Sequence, residues 1–259
     1  MKLDPPSAIS LRFTGRRIVK VLTVTVATLI VLSVVALGLR LYTSAPSHPL
    51  GAKFIYWFNT DVESNVPALF SGFLLLIAAA LLAVIALSVG AQKRPYRRHW
   101  WALSLIFVYL ACDEVGQLHE RLSASLPATL EEMGIQTPAW MYWAWVGPAL
   151  IIVAILGITY ARMVFSLRPV TRNLFILSGA IFVGGALGLE MYGGYLESKY
   201  GRGAEVLIES LVEEAMEMTG VTLFIYALVR HLRERVTSIH VEVPSLKHDL
   251  PSDNPSEAD

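Results

Sequence analysis

Asp113-Glu114-Val115-Gly116-Gln117-Leu118-His119-Glu120 closes an otherwise apolar segment that begins at Trp100. Ionisable side chains within a membrane-length helix cost roughly 2.5 to 3.5 kcal/mol each on insertion scales, so a chain that keeps them needs something to offset that cost. The acids of the last two apolar segments, Glu190 and then Glu209, Glu213, Glu214 and Glu217, read as the other half of the same site.

Around this run the chain is strongly apolar. Hydrophobic residues make up 54%, charged residues only 16%, and the mean hydropathy is +0.54, which places the sequence among polytopic membrane proteins. Six stretches reach the roughly 20 residues needed to cross a bilayer: 18–42, 67–91, 100–122, 140–165, 174–196 and 206–231. The expected fold is all-α, a six-helix transmembrane bundle over 18–235. A cytoplasmic segment, 1–17, precedes it, and a disordered cytoplasmic tail rich in Pro, Ser, Asp and Glu, 236–259, follows it. The first stretch exceeds the roughly 7 to 15 apolar residues of a secretory signal and reads as a retained anchor. The single cysteine, Cys112, lies in the third span, so no intrachain disulfide can form.

Net charge is zero, yet the basic residues are unevenly placed. Arg16, Arg17 and Lys20 open the first span, Lys93, Arg94, Arg97 and Arg98 join spans two and three, Arg162, Arg168 and Arg172 join four and five, and Arg230, Arg233 and Arg235 follow span six. The positive-inside rule then puts both termini in the cytoplasm. Trp100 and Trp101 would mark the inner interface, Trp140, Tyr142, Trp143 and Trp145 the outer one, and Pro148 predicts a kink in span four. Six glycines in span five, from Gly179 to Gly194, favour close helix approach. The basic loops are explained by topology, so nucleic acid is not an expected partner; the lipid bilayer is.

In this orientation no acid falls in the inner half of any span. At about 100° per residue, Asp113, Gln117 and Glu120 lie within roughly 60° of one another, Glu114 sits at the edge of that face and His119 nearly opposite. On span six Glu209, Glu213 and Glu217 follow the four-residue spacing of one helix face, and on span five Ala186, Glu190, Gly194 and Glu197 share another. Three acidic stripes thus meet at one outer depth, in a pocket capped by the first external loop. Packed carboxylates require a bound cation, retained protons or water. Asp113, Gln117, Glu120, Glu190, Glu209, Glu213 and Glu217 are the candidate ligands for a hard divalent cation, Ca²⁺, Mg²⁺ or Mn²⁺. His119 and Glu114 are candidate catalytic groups. A three-histidine zinc site is not attainable, and the Glu-x-x-His pattern of di-iron bundles is missing. No nucleophile elbow, phosphate loop or dinucleotide fingerprint is present, so no organic cofactor is expected.

With Asn59-Thr60-Asp61-Val62-Glu63-Ser64-Asn65-Val66-Pro67-Ala68-Leu69-Phe70-Ser71 at the entry to span two, and Asp113-Glu114 to His119-Glu120 closing span three, the chain resembles a group of uncharacterised bacterial multi-pass inner-membrane proteins. That resemblance implies no activity. A fainter likeness is to alkaline ceramidase-type membrane hydrolases, in which an Asp, Glu and Asn cluster holds calcium beside a three-histidine zinc site. Asp61, Glu63 and Asn65 are similar to the calcium part, with different spacing, no matching histidines and six spans instead of seven. No catalytic role follows from it. The residues admit three classes of function: a membrane-embedded, metal-dependent enzyme acting on a lipid-like substrate, a proton- or cation-coupled transporter of an ionic substrate using Asp113, Glu190 and Glu217, and a non-catalytic scaffold.

Overall fold

The computed structural model describes residues 15–42, 49–62, 65–91, 95–119, 133–134 and 142–235. Most of the expected terminal segments, together with Glu63, Glu120, Arg121, Trp140 and the loop 123–132, therefore lie outside the described residues. The described chain is all-helical: α1 Gly15–Tyr42, α2 Pro49–Phe58, α3 Val66–Ala91, α4 Arg97–Gly116, α5 Val146–Phe165, α6 Pro169–Val183, a π-helical turn Gly184–Leu189, α7 Glu190–Tyr200 and α8 Ala204–Arg235. Four helical segments are long and apolar enough to cross a membrane: Gly15–Tyr42, Val66–Gly90, Val146–Phe165 and Pro169–Tyr200. α4 and α8 fall outside that group because their ionisable residues lower the apolar content.

Local chemistry sets several of the ends. Asn65 caps α3: its side-chain oxygen accepts the Ala68 N–H at 2.8 Å, while its amide nitrogen donates to the Asn59 carbonyl at 2.6 Å and to that of Val62. Pro67 occupies the first turn, as expected of a residue without an N–H to spare. Pro148 also lies in a first turn, since α5 starts at Val146 and not at Trp140. The expected kink is corrected accordingly, because a proline there removes only a donor that has no intrahelical acceptor.

The third span is interrupted before its expected end. α4 stops at Gly116, and Gln117 takes a left-handed conformation (φ 54°, ψ 42°) with its N–H on the Asp113 carbonyl at 2.7 Å. A side chain larger than glycine pays roughly 1–2 kcal/mol for that backbone. The left-handed residue moves Leu118 and His119 off the helical face assumed from periodicity.

α8 is the central element, packed against α1, α3, α6, the π-turn and α7. Its Met218, Val221, Ile225 and Leu228 are fully buried with Leu74, Leu75, Leu82 and Ile85 of α3, and Leu22, Val26 and Leu29 of α1 complete this core. α3 and α4 pair closely, with the Ser104 hydroxyl donating to the Ala79 carbonyl at 2.8 Å. Trp100, expected at an interface, is only 3% exposed: it stacks on His231 (5.2 Å between centroids) and meets Phe175 edge-on (6.1 Å). Its indole extends an aromatic column through Phe175, Phe224 and Phe107 that anchors α4 and α6 to α8.

Contacts at the two ends establish which termini lie together. Trp100 on His231, the Tyr160 hydroxyl on the His99 carbonyl (3.1 Å) and the Thr171 hydroxyl on Glu234 (3.3 Å) gather the starts of α4 and α6 with the ends of α5 and α8. At the other end Ser210 donates to the Thr60 carbonyl at 2.8 Å, and Arg40 and Arg202 both reach Asp61.

A close crossing of α6 and α8 is set by glycine. A Cβ on Gly220 of α8 would stand 2.8 Å from the Phe182 backbone nitrogen and 2.9 Å from its Cβ, atoms that cannot swing aside. Gly220→Leu is expected to force α6 away from α8 and to cost about 3 kcal/mol or more of stability, the upper range of overpacking penalties. A lowered unfolding midpoint of the detergent-purified variant, followed by circular dichroism, checks this.

Candidate functional site

α4, α5, α6, α7 and α8 surround a chamber of about 1570 Å³. One part of its wall is apolar, formed by Leu103, Phe107 and Leu110 of α4, Ile152 and Leu156 of α5, Phe175 and Phe182 of α6, and Phe224 of α8. The rest holds most of the acids singled out in the sequence. Helix α8 contributes Glu209, Glu213, Glu214 and Glu217, α7 contributes Glu190 and Glu197, and α4 contributes Asp113 and Glu114. Of the sequence candidates, Gln117 does not line the chamber, because its left-handed cap position carries it past the end of α4. Glu120 is outside the described residues.

Four-residue spacing accounts for the α8 stripe, and glycines let α7 approach it. Gly193 backs directly onto the Glu209 carboxyl group, where any Cβ would overlap Oε2. Gly185 faces the Glu213 carbonyl and the Met216 Cβ, each 3.1 Å from where its own Cβ would be. The expectation of a close-packing glycine lining holds at these positions but not at Gly179 or Gly188, where a Cβ would meet nothing within 4 Å. Glu209 is 8% exposed, and its Oε1 has no hydrogen-bond partner among the described residues. Glu213 is within hydrogen-bonding reach of Glu190, which also accepts the Trp145 indole N–H at 3.3 Å.

The π-turn Gly184–Leu189 immediately precedes Glu190. Such wide turns are rare and recur at functional sites. This one advances the helix by less than 100° per residue, so it sets the direction in which Glu190 leaves the α6–α7 axis. Only the Gly-Gly-Ala-Leu-Gly composition hints at it in the sequence.

His119 is where the structure departs furthest from helical expectation. Placed opposite the acids by periodicity, it instead folds back after Gln117 so that its backbone N–H donates to Asp113 Oδ1 at 3.0 Å and its Nδ1 meets Oδ2 at 3.1 Å. Its ring packs on Trp145 at 4.9 Å. Asp113, His119, Trp145, Glu190 and Glu213 thereby form a continuous chain of contacts from α4 across the start of α5 to α7 and α8.

Asp61 is a structural centre that the sequence did not single out as paired. It is 6% exposed at its side chain, Oδ2 accepts from Arg40 at 2.9 Å, and Oδ1 accepts from Arg202 at 2.7 Å. Arg40 also donates to Asn59 at 2.9 Å. Both carboxylate oxygens of Asp61 are thus engaged, and the Asn65 oxygen caps α3, so neither has the unengaged oxygen that the calcium-site likeness requires. Among the described residues, no three His, Cys, Asp or Glu side chains converge closely enough to hold a metal ion. Among the described residues, nine carboxyl-bearing side chains line the chamber with one arginine, Arg202, and one histidine, His119.

The model of the family described as Domain of unknown function (DUF8692) matches residues 21–232, so the chain belongs to that family. Neither a curated protein nor a solved structure matches it. The matched segment contains all the helices that build the chamber.

The Asp61 clamp ties the segment before α3 to α1 and to the α7–α8 connection. Arg40, 34% exposed at its side chain and bonded to both Asp61 and Asn59, should matter more than Arg202, whose three hydrogen bonds to Asp61 come from a side chain that is 51% exposed. Arg40→Ala is expected to cost about 2 kcal/mol, in the range of hydrogen bonds to charged groups, and Arg202→Ala about 1 kcal/mol or less, as for exposed ion pairs. Chemical or thermal unfolding in detergent at low and high salt reads the order directly.

Proposed function

We propose that this member of the DUF8692 family is a six-span protein of the bacterial inner membrane, with both termini cytoplasmic, whose chamber holds an amphipathic, lipid-like molecule. The observation that carries this reading is the two-part lining of one large cavity, apolar along α4, α5 and α6 and carboxyl-rich along α7 and α8. A volume of about 1570 Å³ exceeds the roughly 300–1,000 Å³ of ordinary small-molecule pockets. It suits a long hydrocarbon chain with a polar head. Gly157 of α5 and Gly179 of α6 both line the chamber with open space beside them, which favours sideways entry from the bilayer between those helices.

The orientation is supported by the gathering of Arg97, Arg98, Arg162, Arg168, Arg172, Arg230 and Arg233 at one end of the bundle. The carboxyl end then faces the extracytoplasmic side. Positive charge must accompany the occupant there, and a divalent cation, Ca²⁺, Mg²⁺ or Mn²⁺, is one source of it. His119, held by Asp113 and Trp145, is the group best placed to exchange a proton with a bound head, which would make the chamber an enzyme site.

Two measurements test this proposal. Mass spectrometry of lipid extracts from the detergent-purified protein should find a near-stoichiometric amphiphile in the wild type. Gly157→Trp and Gly179→Trp, which fill the chamber, should reduce its recovery several-fold with helicity unchanged. Full retention in both variants, or a tightly bound divalent ion with no amphiphile, would count against the proposal; cation flux in proteoliposomes that Glu217→Gln abolishes would favour the transporter class instead.

Topology is read by thiol labelling in a Cys112→Ser background. A membrane-impermeant maleimide applied to spheroplasts should label Tyr200→Cys, and should label Arg233→Cys only after lysis. The reverse pattern would invert the orientation.

A further inference from the structure

Glu209 occupies an unusual position even within this acidic wall. It is more than nine-tenths buried, lines the chamber, and has one oxygen against Gly193 and the other without a protein partner among the described residues. A buried carboxyl group without a hydrogen-bond donor is expensive, more so when charged. Arg202, the arginine that lines the chamber among the described residues, is already committed to Asp61, to which it donates three hydrogen bonds. With no donor to this oxygen among the described residues, an occupant is the natural source of one.

The surroundings of Glu209 discriminate among cations. Ca²⁺ takes six to eight oxygen ligands and Mg²⁺ demands near-octahedral geometry. Three side chains that could converge on one ion are not found among the described residues. An organic ammonium asks for less: one or two carboxylates for its charge, and aromatic faces for its substituents. Gly193 and Gly194, consecutive in α7, back respectively onto Glu209 and onto Tyr142 and Trp143, so carboxylate and aromatic rings occupy adjoining parts of the wall. Trp145 continues that aromatic surface to Glu190. A phosphate, sulfate or carboxylate head would meet the same wall with repulsion.

We infer that the chamber selects an amphiphile with a cationic, ammonium-type head, and that Glu209 is its counter-charge, with Trp143 and Trp145 as its aromatic wall. The inference rests on the lipid-chamber reading and narrows its ligand class. It also accounts for why so many acids share a cavity whose other half is hydrocarbon-like: the acids repel the anionic lipids that would otherwise fill it.

The test uses the full-length protein in dodecyl maltoside and four probes with the same sixteen-carbon chain: hexadecylamine, hexadecyltrimethylammonium, hexadecanol and palmitate. Binding is titrated by native mass spectrometry, with the metal content of the same samples measured in parallel. The wild type is expected to bind the two cations at least about tenfold more tightly than the alcohol, and palmitate most weakly. Glu209→Gln should weaken the cations about tenfold and leave the alcohol unchanged. Equal binding of amine and alcohol, or preference for palmitate, would overturn the cationic-head inference and leave the chamber standing. Failure of all four probes would remove both. A near-stoichiometric divalent ion in the wild type that disappears in Glu209→Gln would assign the carboxyl group to a metal. The wild-type preference decides the question even where Glu209→Gln does not fold.

Discussion

α8 has to satisfy two demands that ordinarily exclude each other. It is the helix on which α1, α3, α6 and α7 all pack, and it carries a carboxyl group at nearly every turn from Glu209 to Glu217. Its second half resolves the packing demand with Met218, Val221, Ile225 and Leu228, which share a core with α3. Its first half cannot be packed in the same way, because a close-fitting apolar neighbour would strand the acids without partners. The bundle therefore opens on that side: α5 stands away from α8, and the space between them becomes the chamber. Cavity and core are consequences of one helix whose polarity changes along its length.

Three departures from regular helix then determine what faces the space. Gln117 ends α4 one turn early and returns His119 to Asp113. The π-turn resets the phase of α6 so that Glu190 meets Trp145 and approaches Glu213. Asn65 and the Arg40–Asp61–Arg202 clamp fix the segment before α3 across the mouth. Each costs something locally, whether left-handed backbone, lost helical hydrogen bonds or desolvated charge. Each acts at the carboxyl end of the chamber; at the opposite end Trp100, His231 and Phe175 pack closely, and the left-handed Tyr96 precedes α4 without interrupting a helix.

That contrast explains how much was legible in the sequence. The all-helical class, the four strongly apolar helices and the acidic stripe on α8 follow from composition and 3.6-residue periodicity, which regular helix obeys. Periodicity also brought Glu190 and Asp113 to the right end, since depth along an axis survives small errors in rotation. It failed at His119 because a helix wheel assumes that the helix continues, and nothing in Gly116-Gln117-Leu118 marks a left-handed residue as plainly as glycine at the second of those positions would. It misplaced Pro148 because hydropathy sees Trp140 to Trp145 as a continuation of the span, whereas the α-helix starts only after Trp145. The pairing of Asp61 with Arg202 joins residues 141 positions apart, and no local pattern encodes it.

Among the described residues the acids form no evident metal cage. Asp113 is engaged by His119 at both of its oxygens, Glu190 by Trp145, and Asp61 by two arginines. Side chains already fixed by such partners are poor candidates to swing together around a small ion, because each movement would forfeit a charge-assisted hydrogen bond before coordination could replace it. They are well suited to remain in place and present a negative field to something larger. A field spread along α7 and α8, deep within low-dielectric surroundings, acts over longer distances than it would in water. In the reading proposed above, it would discriminate by the sign of an occupant's charge more than by its coordination geometry. In that reading Glu209 supplies a short-range term, a buried oxygen without a protein partner among the described residues, which would turn a general preference for positive charge into a position for it.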